Sequence, residues 1–94
     1  MTRAELLQKL RDLKPWLAEQ GIVNVRLFGS YARDEAGPDS DVDLLVDIAK
    51  PLGFRFFGIE RELAEKLGAR VEMGTDDSMH RLVRRSAAQD VVVV

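Results

Sequence analysis

Two acids and a glycine-serine pair are the residues of this sequence best suited to do chemistry. In Ser40-Asp41-Val42-Asp43-Leu44-Leu45-Val46, a strand period of two puts Asp41 and Asp43 on one face and Val42, Leu44 and Val46 on the other. Two ionised carboxylates on one strand face repel each other, and a hard divalent cation such as Mg²⁺ or Mn²⁺ relieves that cost through oxygen ligands. Upstream, the apolar run of Val25, Leu27 and Phe28 stops abruptly at Gly29-Ser30. A residue without a Cβ lets the backbone turn sharply and lets a bulky anion approach. Ser30 adds a hydroxyl to the unpaired N–H donors at the start of a short helix expected from Tyr31-Ala32-Arg33. A phosphate cradle beside a divalent-metal site implies phosphoryl or nucleotidyl transfer, and the residues alone fit attack on either the α- or the γ-phosphorus.

Each half of this pattern is weak by itself. Gly-Ser ends many strands, and Asp-x-Asp often marks a solvated strand face; joint occurrence at fixed spacing, each on its expected element, is what selects the metal and phosphate reading. Arg33 has two uses open to it, reaching a triphosphate or pairing with Asp34 or Glu35.

Gly29-Ser30, ten intervening residues and Asp41-Val42-Asp43 resemble the signature of the DNA polymerase beta-like nucleotidyltransferase superfamily. With Phe28, Tyr31, Ala32, Arg33, Ser40, Leu44 and Val46 the string is similar to the small minimal nucleotidyltransferase (MNT) branch, whose members often pair with a helical HEPN protein. The likeness covers nearly the whole chain. It implies attack on the α-phosphorus of a nucleoside triphosphate, ATP, with AMP passing to a hydroxyl (a tyrosine) of a HEPN-type toxin, so that the chain acts as an antitoxin. It further implies nucleotide contacts at Gly29, Ser30, Arg33 and Ser40, and a catalytic set of Asp41, Asp43 and a third acid holding two Mg²⁺ ions, with Mn²⁺ as the alternative. That third acid is usually aspartate; here Glu72 stands in its place. The extra methylene moves the ligand by about 1 Å or forces another rotamer, which would alter metal preference or weaken catalysis. Two other readings stand beside this one: adenylylation of a small molecule, and a catalytically weak nucleotide-binding module that neutralises a partner by contact or acts as a homodimeric sensor.

The elements that must position these residues are legible in outline. Thr2-x-x-Glu5 has capping-box spacing, followed by Leu6, Leu10, Leu13 and Leu17 at helical steps, with Pro15 expected to kink or break the helix before Gly21. Ile22 to Phe28 reads as the first strand and 34–39 as a polar loop joining cradle to acids. A helix is expected over Phe54 to Leu67, stopped by Gly68, with Phe56, Ile59, Leu63 and Leu67 inward, Glu60 on its wet face and Gly58 at a close contact. Ala69 to Met73 alternates as a third strand, and a strand–helix–strand connection favours parallel placement, aiming Glu72 at the aspartates. Trp16 and Tyr31 read as packing residues. Asp76 and Asp77 read as a helix cap, Met79 to Ala87 as a final helix bearing His80, Arg81, Arg84 and Arg85, and the terminal valines as an edge strand. The expected architecture is a small α/β (α+β-like) domain over 1–94, a mixed sheet of three or four strands with helices mainly on one face.

Composition bounds the rest. Ninety-four residues leave little surface for a second substrate, so a partner is expected to complete the site. A net charge of −2 argues against general nucleic-acid binding, and the absence of cysteine excludes disulfides and thiolate metal sites. With no apolar run of spanning length and no signal peptide visible, a cytoplasmic protein is expected.

Overall fold

The computed structural model describes residues 1–75 and 91–94. Helix α1 (Arg3–Glu19) and strands β1 (Ile22–Phe28) and β2 (Val42–Ile48) are followed by helix α2 (Arg55–Leu67), strand β3 (Val71–Gly74) and strand β4 (Val92–Val93). The strands form one mixed sheet in the order β3-β2-β1-β4. β1 runs antiparallel to β2 and β4, and β2 runs parallel to β3, as a crossover through α2 requires.

One face of the sheet carries Val25, Leu27, Val42, Leu44 and Val46 into a core with Leu6, Leu10 and Leu17 of α1 and Ile59, Leu63 and Leu67 of α2. Both helices therefore cover the same face. On the other face Phe28 and Leu45 form a small cluster with Val91 packed against it. Asp43 and Asp47 of β2 lie on that second face, opposite the helices.

The N-terminal capping box is complete: Thr2 Oγ1 accepts from Glu5 N, and Glu5 accepts from Thr2 N. These bonds hold the Glu5 carboxyl below its ordinary range. Of the kink or break expected at Pro15, the break does not occur: α1 runs through this residue as one helix. The ring costs one i→i−4 bond on a solvent-exposed turn, while Leu10 and Leu17 on either side remain buried and hold the helix together. Trp16 packs against the core and lies under Lys66 Nζ, 5.0 Å from the ring centre, a packing role.

Two other expectations change. Tyr31 to Asp34 forms turns and no helix. Arg33 N donates to Gly29 O and Glu35 N to Ser30 O, but Asp34 takes φ +58°, a left-handed conformation that ends any helical run. Gly58 marks no close contact, since a Cβ there would meet nothing within 4 Å. Gly68, at φ +70°, does cap α2 as read. The expected cap at Asp76 and Asp77 and the helix bearing His80 lie outside the described residues.

Candidate active site

The site grows out of the register of the strands. Phe28 pairs with Asp43 across β1–β2, and Asp43 pairs with Glu72 across β2–β3. Paired residues on adjacent strands point to the same face, so the sheet sets Asp43 between the end of β1 and Glu72. Asp41, two residues before Asp43, precedes β2 on the same side, where Val42 N donates to Arg70 O at 2.8 Å and fixes the entry of both strands.

Gly29 follows Phe28 directly, with φ +79°, and a Cβ there would lie 2.5 Å from Asp43 Oδ2. The glycine is thus required twice, by its backbone conformation and by the carboxylate over it. Past it, the backbone hydrogen bonds of the turn begin at Arg33 N; among the described residues the N–H groups of Ser30, Tyr31 and Ala32 donate none. Those donors follow directly on the residue that lies against the Asp43 carboxylate. The turn is held from behind by α1: Arg3 Nη1 donates to Ala32 O at 3.1 Å and Arg3 N to Asp34 Oδ1 at 3.2 Å, while Tyr31 and Ala32 are buried. Tyr31 is a packing residue.

Electrostatics single out Asp43. Burial, the charge of Glu72 and the charge of Asp41 push its pKa up to about 6, and Arg33 works in the opposite direction. Asp47, two positions further along the same face, shows the contrast. Its oxygens are claimed by Asn24 at 2.8 Å and Arg26 at 3.0 Å, and those bonds hold its carboxyl below the usual range. Asp47 is a satisfied structural acid, whereas burial and two like-charged neighbours disfavour the ionised form of Asp43.

Of the residues read as nucleotide-binding, Arg33 donates from Nε to Glu35 Oε2 at 3.1 Å, so the pairing read as its second use is made. Its charge is nevertheless felt at Asp43. Ser40 Oγ accepts from Gly37 N at 2.9 Å and closes the 37–40 turn, which places this hydroxyl in the loop leading to the acids.

The residues fit a divalent cation in chemistry: hard carboxylate oxygens on one face, with Asp41 Oδ1 buried and accepting no hydrogen bond. That oxygen lies 2.9 Å from Arg70 Nε in an ion pair whose N–H is not directed at it. Among the described residues no three acid or histidine side chains converge tightly enough to enclose a cation. Asp41 is drawn to Arg70, and Glu72 is exposed to solvent.

Sequence reasoning missed two contributors. Arg70 falls in the stretch expected as the third strand without a role of its own, and its contact with Asp41 depends on the parallel register. Glu60, read as wet helix face, accepts from Met73 N at 2.8 Å and so ties α2 to β3, the strand that carries Glu72. An acid one helical turn from Ala64 on an inward-leaning stripe was the available signal for Glu60; no sequence signal marks Arg70.

Comparison with known proteins agrees with this geometry. Residues 3–94 match the family described as the nucleotidyltransferase domain. Protein adenylyltransferase MntA of Thermococcus cleftensis is 35% identical over 100% of this chain and 97% of its own length. A Methanocaldococcus jannaschii protein, provisionally named a protein adenylyltransferase, is 32% identical over 99% of this chain and 98% of its own. The solved structure of a protein provisionally described as a minimal nucleotidyltransferase superposes with a TM-score of 0.82 at 28% identity, covering 100% of this chain and 97% of that one. A toxin–antitoxin crystal structure with AMP-PNP shares the fold at a TM-score of 0.67 and 21% identity, over 99% of this chain and 72% of that one. With its glycine turn, paired strand acids and mixed sheet, the chain belongs to the nucleotidyltransferase domain family.

Proposed function

We propose that the protein is a divalent-metal-dependent protein adenylyltransferase that moves AMP from ATP to a hydroxyl of a partner protein of the HEPN type, and acts as its antitoxin. The observation that carries this reading is the placement of Asp43 between Gly29 and Glu72, with its pKa raised by burial and by the two neighbouring acids. The names of the relatives, protein adenylyltransferases, support AMP as the transferred group. The toxin–antitoxin assembly with AMP-PNP supports both an ATP-like substrate and a protein partner.

In this reading the triphosphate lies along the turn that follows Gly29, beside the Asp43 carboxylate, and takes hydrogen bonds from the N–H groups of the 30–32 turn and from the Ser30 hydroxyl. Arg33 supplies positive charge beside the phosphates, and Ser40 fixes the loop that delivers Asp41. Asp41, Asp43 and Glu72 would hold the metal, which when bound neutralises phosphate charge and makes the acceptor hydroxyl more acidic. The acceptor oxygen attacks the α-phosphorus in line, pyrophosphate leaves, and Asp43 or Glu72 receives the hydroxyl proton.

The test is incubation with α-labelled ATP, Mg²⁺ and a HEPN-type protein encoded beside this one. Label should appear on the partner and vanish with Asp41→Asn. A tight complex that forms without transfer, and is indifferent to Asp41→Asn, would instead identify a module that neutralises by contact.

A further inference from the structure

Arg70 lies just before β3 and reaches across to the loop preceding β2. Its Nε stands 2.9 Å from Asp41 Oδ1, and its Nη2 donates to Asp39 O at 2.9 Å. The side chain is otherwise open, about three-quarters exposed at 75%. Asp41 Oδ1 is buried and receives no directed hydrogen bond, so the guanidinium compensates its charge without satisfying its geometry. An exposed pair of this kind is weak and easily exchanged. Asp41 is engaged in this pairing, and no three acids enclose a cation among the described residues.

We propose that Arg70 is a positioning residue which stands in for the cation on Asp41 while the site is metal-free, and must release Asp41 before a divalent ion can be held. Its anchor on Asp39 O keeps the displaced guanidinium at the rim of the site. The arrangement prevents Asp41, Asp43 and Glu72 from facing one another uncompensated, and it sets the affinity for free metal lower than the acids alone would give. This rests on the metal-dependent reading above.

The test is Mn²⁺ binding to the full chain without nucleotide, followed by electron paramagnetic resonance of free Mn²⁺. Arg70→Gln should bind about two- to fivefold more tightly, the gain expected from removing a weak competing counterion, and Arg70→Lys should fall between the two. A folded Arg70→Gln protein that binds Mn²⁺ no more tightly than the unaltered chain overturns the proposal while leaving the metal-dependent reading intact. Absence of Mn²⁺ binding in every form overturns both. Should Arg70→Gln fail to fold, Mg²⁺ titration of the unaltered protein decides: the Arg70 Nε–H resonance should shift with the same midpoint as the Asp41 amide, and an Arg70 signal that stays fixed while the amide moves overturns the proposal.

Discussion

Gly29 and Asp43 are fitted to each other across the β1–β2 pair: the Cβ that any other residue would bring to position 29 falls 2.5 Å from Asp43 Oδ2 and 3.4 Å from its carboxyl carbon. Gly29 also holds φ +79°, which L side chains rarely adopt. Gly29→Ala should therefore lower stability by about 1–3 kcal/mol in urea unfolding. By displacing Asp43 it should also slow AMP transfer about a hundredfold.

Asp41→Asn and Asp43→Asn should each abolish label transfer while leaving circular dichroism unchanged. Chelation with EDTA should do the same to the unaltered protein, reversibly on addition of Mg²⁺ or Mn²⁺. Transfer that persists under chelation would remove the metal from the mechanism.

The pH dependence follows from Asp43, whose folded pKa lies near 6 against an ordinary 3.8. The native state holds this proton more tightly than the unfolded chain, so its contribution is fully present below the ordinary value and is lost as pH rises through about 6. Asp43→Asn should consequently be more stable than the unaltered protein at pH 8, by about 1 kcal/mol after allowance for solvent screening of a half-exposed group. The difference should shrink at pH 5 and also when Mg²⁺ is present. Urea unfolding at the two pH values, with and without Mg²⁺, measures it.

Glu72 raises the pKa of Asp43 and pairs with it in register. Glu72→Gln should lower the Asp43 pKa, measured by carboxyl NMR titration, and reduce transfer by about tenfold or more. Glu72→Asp should retain transfer but change the ratio of rates with Mg²⁺ and Mn²⁺, because it shortens the ligand arm by one methylene.

Glu60 accepts the Met73 N–H at 2.8 Å. Glu60→Ala should cost about 1 kcal/mol of stability, the value of one such bond, and should weaken metal binding through the loosened strand. Glu60→Gln should recover most of the stability.

The fold was legible wherever side-chain period and glycine position acted together. The alternation from Val42 to Val46 located β2 and its acid face, and the capping box and Gly68 gave the ends of α1 and α2. Local signals misled where tertiary packing decided. Pro15 does not split α1 in two, since buried leucines on either side hold the helix, and the residues after Ser30 close into turns where Asp34 adopts a left-handed backbone. Of the site, Asp41, Asp43 and Glu72 were readable as one face, since strand period and parallel crossover dictate it. The role of Arg70 was not, because its partner stands 29 positions away in sequence and only register brings the two together.

The pairing of Asp43 with Glu72 makes the site a matter of counting as well as of composition. Deleting one residue from the short connection Gly68–Arg70 would keep every strand and every acid in the chain. It would nonetheless present Met73 to Asp43 and turn Glu72 toward the oily interior, where an ionised group cannot stay. The length of that connection is thus as much a determinant of chemistry as the carboxylates themselves.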